Sequence, residues 1–566
     1  MEGNRPRIVP NAQGSYLTPS VVCFAEDGLP WVGEPAKRAA ASIPHRAVFS
    51  IKRRMGSDYR VKVDDREYTP VELSGFILKK VKADAEEQLG ERIDRAVITV
   101  PAYFNDRQRQ ATREAGALAG LEVMRIISEP TAAALAYGIH REEAHTVLVW
   151  DLGGGTFDVS ILELGDGIFE VRAVSGDTWL GGDDFDLRIA DDLAQLYRSI
   201  TGAGFPLDLG ARQWLKEAAE TAKIELSSAL VAKVRLPLPD PERPRCLEME
   251  LSRGRMESAV HDLVRRMVAP THEALAGAGL SVEEIDRVIL VGGASRMPAV
   301  RDLARQLFGK EPYRYVQPDL AVAMGAAIQA GMLLGQVEKV VLLDVLPLSL
   351  GIETQGGLMA RLIPRNTPLP ASGARIFTTA KDSQTSMTVH VLQGERAMAV
   401  DDISLGQFDF SDIPVAARGV PKVEVAFQVD VDGIVHVSAT ELLTEGEMKV
   451  AVTSAKFLDP QEIAGLAQEG ALSEERDIAM RQRVMAEIQA RNLIEAGEQA
   501  LGMLDEPRSG QILAAIANLK LAVAAGVGEE VNACSKALRQ LLAATSREEH
   551  SHLDGPSDTR MVSHVY

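Results

Sequence analysis

The chain of 566 residues is 46% hydrophobic and 25% charged, so it is long enough for about three or four globular domains and too long for one core. Its formal net charge of −19 at pH 7 argues against a general nucleic-acid or anionic-membrane role, because such surfaces attract clustered positive charge. Cys23, Cys246 and Cys534 form no metal or disulfide pattern, and no apolar run reaches the roughly 20 residues of a membrane span. We therefore expect a cytoplasmic protein with neither a nucleic-acid nor a membrane partner.

From the N-terminus to about residue 337, short β-rich runs alternate with helical stretches. The runs "RAVITV", "HTVLVW" and "DRVILV" are rich in β-branched residues, whereas "LSGFILKKVKADAEEQLG" repeats apolar residues at helical spacing. Alternation of this kind predicts α/β layers.

Three glycine-rich turns lie in this part of the chain. In "DLGGGTFD", residues 153–155 would let backbone N–H groups approach phosphate oxygens, and Asp151 is placed to hold the water shell of Mg²⁺. One such turn is more often a plain tight hairpin. Two further clusters, "GDTWLGGDDFD" and "VILVGGASRMP", supply more N–H groups and, in Arg296, a flat guanidinium suited to stacking on a base. Together the three turns favour a nucleotide site.

After about Pro347 the pattern changes to alternating apolar and polar residues. "TSMTVHVLQGER" and "PKVEVAFQVDVDGIVHVSATE" predict an antiparallel β domain with one buried face, and "DVDGIV" predicts a hairpin turn. The preceding "VVLLD", residues 340–344, has two interpretations. It is either a buried strand that begins the β domain or an apolar linker that docks and releases.

The C-terminal part returns to a helical pattern. Asp459 is a good N-cap, Pro460 occupies the first helical position and Glu462 completes a capping box. The following residues predict a small helical bundle, and the last twenty or so are polar and predict a frayed tail.

Seven motifs in order reveal a resemblance to a known family. "VPAYFNDRQRQAT", "ISEPTAAALAYG", "DLGGGTFDVSIL", "GDTWLGGDDFD", "AETAKIELSS", "VGGASRMP" and "PDLAVAMGAAIQAG" resemble the heat-shock protein 70 chaperones of the DnaK type. The resemblance is dense over residues 1–455 and loose beyond. It implies an actin-like α/β ATPase with ribonuclease H-like lobes at 1–337, a linker at 338–346, a substrate-binding β-sandwich at 347–455, a helical lid at 456–545 and a flexible tail at 546–566.

The resemblance also implies roles for individual residues. Lys52 would orient the attacking water, Glu129 and Asp151 would organise Mg²⁺ and water, and Thr156 would contact the γ-phosphate and be autophosphorylated. The residues implied to bind ATP or ADP are Gly153, Gly154, Gly155, Gly182, Glu220, Lys223, Ser227, Gly292, Gly293, Arg296 and Asp319.

Two further residue sets are implied by the resemblance. The interdomain relay comprises Pro101, Arg109, Val341, Leu342, Leu343 and Asp344, and on this basis the apolar linker docks on the ATPase when ATP is bound. The peptide groove is lined by Gln355, Phe377, Ala380, Met387 and Val389. Gln355 stands where many members have a methionine and Met387 where many have a smaller branched residue, so we expect a shifted peptide preference. The alternative for Met387 and Val389 is plain β-domain core.

The implied function is that of an ATP-dependent chaperone whose weak ATPase switches its affinity for extended hydrophobic segments of unfolded proteins. Its implied partners are a J-domain co-chaperone and a nucleotide exchange factor, and the terminal "SHVY" favours a bacterial-type or organellar form. The family's first glycine loop, of the "IDLGTT" type, is absent from the opening "MEGNRPRIVPNAQGSYLTPSVV", and we expect it to be encoded upstream of Met1.

The sequence is also compatible with three alternatives. Without the first glycine loop the chain would be a nucleotide-independent holdase. A specialised iron–sulfur-assembly chaperone is a second alternative, since the helical end matches loosely. An actin-like sugar kinase or filament protein would share the phosphate loops but leave the β domain unexplained.

Overall fold

The computed structural model describes residues 1–3, 5–138, 144–165, 167–206, 208–237, 246–313, 317–337, 340–411, 413–442, 447–451, 474–501, 506–525 and 528–549. The predicted helix start at Asp459, Pro460 and Glu462 lies outside these residues. The described residues form two compact units. The first draws on Met1–Ile352, Arg361–Glu395 and Asp402–Gln468, and the second on Glu353–Ala360, Arg396–Asp401 and Glu469–Tyr566. None of the described helices is long and apolar enough to cross a membrane.

The N-terminal part of the first unit combines small sheets with flanking helices. Its strands are β1 (Val21–Phe24), β2 (Pro30–Val32), β3 (Ala47–Phe49), β4 (Val61–Val63), β5 (Arg66–Tyr68), β6 (Arg95–Val100) and β7 (Glu122–Ser128). Its helices are α1 (Glu34–Ala40), α2 (Pro70–Leu89), α3 (Asp106–Leu118) and α4 (Glu129–Gly138). β1 lies between β2 and β3, β4 pairs with β5, and β6 runs parallel to β7.

Local sequence explains where the two longest of these helices begin. Thr69 precedes α2 and Asn105 precedes α3, and each side chain accepts the backbone N–H three residues on. The side chains of Glu72 and Gln108 accept the backbone N–H of the respective cap residue, so both helices begin at a capping box. The second of these caps fixes the start of α3, which carries Arg109.

The middle part of the first unit is built on a five-stranded sheet. Its strands are β8 (His145–Leu152), β9 (Phe157–Gly165), β10 (Ile168–Asp177), β11 (Val231–Pro237), β12 (Cys246–Ser252), β13 (Arg287–Val291) and β14 (Val341–Leu343). Its helices are α5 (Gly182–Thr201), α6 (Leu209–Leu226), α7 (Arg253–Ala259), α8 (His261–Arg266), α9 (Val268–Ala278), α10 (Pro298–Phe308) and α11 (Ala321–Leu333). The order across the main sheet is β13-β8-β9-β10-β14.

Both faces of this sheet are buried. Along β8, Leu148 and Trp150 enter one hydrophobic core, while Val147 and Val149 enter the core on the opposite face. Because successive strand residues point to opposite faces, a strand buried on both sides must be apolar throughout. This explains the continuous run "TVLVW" and confirms the predicted α/β layers.

Helices α4 and α11 pack on one face of this sheet with their backbones in direct contact. A Cβ atom at Gly325 of α11 would lie 1.7 Å from the carbonyl oxygen of Ala132 in α4. We expect Gly325→Ala to lower the free energy of unfolding by about 1–3 kcal/mol or more, because the helices must move apart. Gly254→Ala is the matched control, since that helical glycine has open space around its Cβ position. Equal thermal unfolding midpoints for the two variants would contradict the expectation.

The β-rich part contains two four-stranded sheets. Its strands are β15 (Leu350–Thr354), β16 (Leu358–Ile363), β17 (Ala371–Thr378), β18 (Met387–Gln393), β19 (Ile403–Phe410), β20 (Lys422–Val429), β21 (Val435–Glu441) and β22 (Glu447–Ala451). The strand orders are β16-β15-β18-β19 and β17-β20-β21-β22. Alternate residues of β20 and β21 share one core with residues of β18, which confirms the antiparallel pairing with a buried face. The predicted "DVDGIV" turn is present as a turn over residues 430–433.

The second unit contains three long helices. They are α12 (Glu474–Leu501), α13 (Glu506–Ala525) and α14 (Gly528–Glu549), and they share a core that includes Ile516 and Leu538. Helix α14 continues to Glu549, beyond residue 545 where the sequence predicted the helical part to end.

Candidate functional site

The turn between β8 and β9 is a glycine hairpin, residues 153–156, that packs against the start of α5. The N–H of Gly182 donates to the carbonyl of Gly153 over 2.9 Å, and the N–H of Asp183 donates to the carbonyl of Gly154 over 2.8 Å. The peptide units of the hairpin are trans. In a trans peptide the C=O and N–H point in opposite directions. The N–H groups of Gly154 and Gly155 therefore face away from α5.

Close backbone contact explains the glycines in two turns that face the hairpin, one before α5 and one after β13. A Cβ atom at Gly181 would lie 2.6 Å from the carbonyl carbon and oxygen of Gly154. A Cβ atom at Gly292, whose φ is +80°, would lie 2.3 Å from the carbonyl oxygen of Leu152 and 2.8 Å from Oδ1 of Asp151. The three glycine clusters predicted from sequence thus meet around one hairpin.

Buried carboxylates lie directly beside the hairpin. Asp151 and Asp158 are register partners on β8 and β9, and Glu129, the first residue of α4, forms an ion pair with Lys52. Burial, followed by the charges of Glu129 and Asp158, raises the pKa of Asp151 well above its usual range. Burial, followed by Glu129, raises the pKa of Asp158 to about 7. Lys52 supplies one positive charge against the three carboxylates of Glu129, Asp151 and Asp158. The site therefore favours a bound cation.

This donor set suits Mg²⁺. Carboxylate oxygens are its preferred protein ligands, and it usually keeps several waters while taking one or two carboxylates. Among the described residues, no three His, Cys, Asp or Glu side chains form a direct metal centre. The residues that could hold such an ion are Asp151, through a water shell, and Glu129 beside it.

The residues implied to bind the nucleoside flank the hairpin from α6 and from the turn after β13. Lys223 is buried, and its Nζ lies 3.0 Å from the carbonyl of Gly182 and 2.7 Å from Asp186. Glu220 pairs with Lys37 over 2.7 Å, and the hydroxyl of Ser227 donates to the carbonyl of Lys223. In this structure Lys223 therefore stabilises the start of α5.

The opposite flank of the site is formed by the turn after β13. Nε of Arg296 donates to Asp319 over 2.9 Å, and half of the Arg296 side chain is exposed. Gly293 lies beside Asp319. The flat face of a half-exposed guanidinium held at one edge is available for stacking.

Several cleft residues were missed by the sequence analysis. Arg53 bonds to Gly155 and Asp184, Ser50 contacts Asp183, and Lys216 pairs with Asp183 over 3.0 Å. The motif "FSIKRRMG" around Lys52 was the only available signal for Arg53, because its partners are more than 100 residues away in sequence.

Arg109, which the resemblance implies to be a relay residue, contacts the β-rich part. It is buried, and its guanidinium donates to the carbonyls of Phe104 (3.1 Å) and Asp432 (3.2 Å). The Asp432 carboxylate forms ion pairs with Arg113 and, over 3.3 Å, with Arg125. It also accepts the backbone N–H of Ile126 over 3.1 Å. Pro101 begins the turn that leads to this cluster.

A second chain of contacts joins this region to the carboxylates. The Tyr103 ring packs in the core of the β-rich part, while its backbone N–H donates to Asp158 over 3.2 Å. Asp106, at the start of α3, accepts the N–H of Val435 over 2.8 Å. The β-rich part therefore contacts the same strand ends that carry the carboxylates.

The segment 340–344 pairs with the five-stranded sheet. Val341, Leu342 and Leu343 form β14, which runs parallel to β10, and the N–H of Val341 donates to Gly167 over 2.9 Å. Asp344 is buried, and its carboxylate accepts the N–H of Val345. Of the two interpretations, the pairing favours a linker docked on the α/β part over a first strand of the β domain.

The residues implied to line a peptide groove have different environments. Val389 is 1% exposed and belongs to the β-domain core, against which Phe377 and Met387 are half-buried. Ala380 is exposed. Gln355 is also exposed and lies in the second compact unit. In this structure Val389 packs as plain core, the alternative that the sequence left open.

The buried carboxylate of Asp106 predicts a pH effect. Burial raises its pKa to about 7, so the folded state binds this proton more tightly than the unfolded state does. The free energy of unfolding should then fall by a few kcal/mol as the pH rises from about 4 to about 7. We expect Asp106→Asn to remove this contribution and to be the more stable form at pH 8, since an amide oxygen can still accept the Val435 N–H.

Thermal unfolding of both forms between pH 4 and 8 measures this effect. Asp94→Asn is the control, because that carboxylate is exposed. Curves of wild type and Asp106→Asn that run parallel over this range would contradict the assignment.

Comparison with known families agrees with these observations. Residues 1–64 and 58–551 match the profile of the family described as Hsp70 protein. Members of this family combine a nucleotide-binding actin-like domain with a substrate-binding domain, and they are ATPases that act as chaperones. The match extends over nearly the whole chain, which confirms the resemblance found in its motifs. The chain belongs to the Hsp70 family of molecular chaperones.

Proposed function

We propose that this chaperone binds extended hydrophobic segments of unfolded proteins and that ATP binding and hydrolysis switch its affinity for them. The observation that carries the proposal is the contact between the β-rich part and the nucleotide cleft through Tyr103. Its backbone N–H bonds to Asp158 beside Asp151, and its ring belongs to the β-domain core. A change in charge at these carboxylates would therefore act directly on a residue whose ring packs in the β-domain core.

Three groups around the hairpin would act on ATP as the substrate. The N–H groups that face away from α5 would receive its phosphates, and Lys52 would orient the attacking water. Asp151 would hold Mg²⁺ through water, and the bound ion would offset phosphate charge. Thr156, next to the hairpin glycines, is the proposed phosphorylation site.

The docked linker supports a coupling between two sites. β14 adds to the edge of the sheet whose other strands carry Asp151 and Asp158, and Asp432 ties the β-rich part to α3 and β7. If ATP favours this docked arrangement and peptide favours an undocked one, each ligand must weaken the binding of the other by the same factor. Such coupling typically amounts to about 5- to 150-fold.

The remaining assignments are part of the same proposal. Residues 1–337 would form the ATPase, 338–346 the linker, 347–455 the peptide-binding domain and 456–545 a lid, in a cytoplasmic chaperone. Phe377, Ala380 and Met387 would contact client peptides, and a J-domain co-chaperone and an exchange factor would regulate the cycle.

Titration of a fluorescent apolar peptide with and without nucleotide tests the function. We expect ATP to weaken peptide binding by a factor within the range given above, and ADP to leave it tight. An affinity that ATP leaves unchanged would refute the switch. Peptide binding without any nucleotide binding would instead identify a holdase.

A further inference from the structure

The carbonyl of Gly155, the last of the glycine triplet, is held by a side chain rather than by α5. Nε of Arg53 donates to it over 2.8 Å. A Cβ atom at Gly155 would lie 2.9 Å from that nitrogen, so the packing of Arg53 on the hairpin requires a glycine there. The Gly153 and Gly154 carbonyls, by contrast, are bound by backbone N–H groups of α5.

Arg53 is itself tightly fixed. Its terminal nitrogens form a two-point contact with Asp184, one bond of which measures 3.2 Å. Its guanidinium also lies 5.4 Å from the ring centroid of Trp179, and the side chain is 10% exposed. A forked, stacked and buried guanidinium has lost most of its freedom already, so it can orient a third partner at little further cost in entropy.

The side of the hairpin on which Arg53 lies follows from Asp184. This residue belongs to the first turn of α5, so Arg53 and α5 contact the hairpin from the same side. All three glycine carbonyls then point to that side. Since the peptide units are trans, the N–H groups of Gly154, Gly155 and Thr156 all point to the other.

Arg53 also connects two separate hydrophobic cores. Ile51, two residues earlier, packs in the core formed by β1 and α2, whereas Phe185, next to Asp184, packs in the core of the main sheet. The bond to Gly155 therefore links a segment anchored in one core to the hairpin that packs on the other.

We propose that Arg53 is a positioning residue for the phosphates, because it fixes the Gly155 carbonyl and thereby sets the direction of the Thr156 N–H. The proposal rests on the proposed nucleotide function of the hairpin. Asp184 and Trp179 act through Arg53 by fixing its guanidinium.

The test compares Arg53→Lys with Arg60→Lys, an exposed arginine in the same segment of the chain. Lysine keeps the charge of residue 53 but cannot make the three-way contact. We expect Arg53→Lys to lower kcat for ATP about 10²-fold and to weaken ADP binding about tenfold. Adenosine, which has no phosphates, should bind as it does to wild type, and Asp184→Asn should give a smaller loss of the same kind.

The outcomes distinguish a failure of the role of Arg53 from a failure of the proposed ATP-dependent function. A wild type that hydrolyses ATP beside an Arg53→Lys variant of equal kcat and equal ADP affinity would overturn the role of Arg53 alone. Parallel losses of adenosine and ADP binding would also overturn it, because they indicate a folding role. If wild type hydrolyses no ATP, the proposed function fails, and the ratio of ADP to adenosine affinity still tests Arg53.

Discussion

Lys52→Ala is expected to slow ATP hydrolysis by about 10²–10³-fold, the usual loss when one preorganised electrostatic donor is removed from a reaction centre. Lys52 forms an ion pair with Glu129, and its charge opposes the rise in the pKa of Asp151. Without it, the three neighbouring carboxylates lose the ammonium charge that offsets them. The attacking water would also lose the ammonium that we propose orients it.

Nucleotide binding should survive this substitution. The backbone N–H groups of the hairpin, the brace of Lys223 on α5 and the Arg296–Asp319 pair do not involve Lys52. Single-turnover hydrolysis together with ADP titration separates the two effects. The control is Lys62→Ala, which removes an exposed lysine from β4. Hydrolysis by Lys52→Ala at the wild-type rate would rule out the proposed role.

Asp432→Ala is expected to uncouple ATP binding from peptide release. Its carboxylate is 7% exposed and is shared by Arg113, Arg125 and the N–H of Ile126. Its removal leaves clustered arginines and a buried N–H without their acceptor. Breaking a buried ion pair in this way typically costs about 3–5 kcal/mol, which the docked arrangement alone would lose.

The expected result is a peptide affinity that no longer changes when ATP is added, with ATP binding itself retained. Asp432→Asn should have an intermediate effect, because an amide oxygen can still accept the Ile126 N–H. Asp382→Ala, which removes an exposed carboxylate from another loop of the β-rich part, is the control. Full ATP-driven release by Asp432→Ala would show that the docked contact does not transmit the switch.

Much of the fold could be predicted from sequence because its signals are local. The run "TVLVW" is apolar throughout since β8 is buried on both faces, and the alternation in β20 and β21 reflects one buried face. The glycine clusters at 153–155, 181–182 and 292–293 were also recognisable from sequence, and at Gly181 and Gly292 the close approach of another backbone segment excludes a side chain. The family identification followed from the order of these motifs and was confirmed.

The partners of the site residues were not predictable in the same way. Nothing in "FSIKRRMG" distinguishes Arg53, which bonds to Asp184, from Arg54, which stacks on Tyr59 and Trp179. Likewise "DVDGIV" predicted a turn, but its Asp432 acts through arginines more than 300 residues away in sequence. Met387 and Val389 share a strand face, yet only packing decides that Val389 is core.

The sequence by itself therefore determined the family, the α/β and β-rich parts and the glycine turns. Burial fixes which positions of a strand or helix are apolar, and tight turns favour glycine, so these features can be read from short segments. Only the tertiary structure decided which charges meet. It pairs Arg53 with the hairpin, assigns Asp432 to α3 and β7, and places residues 341–343 on β10 rather than in the β domain. An ion pair or an added strand depends on two segments distant in sequence, and neither segment alone carries the information that they will be neighbours.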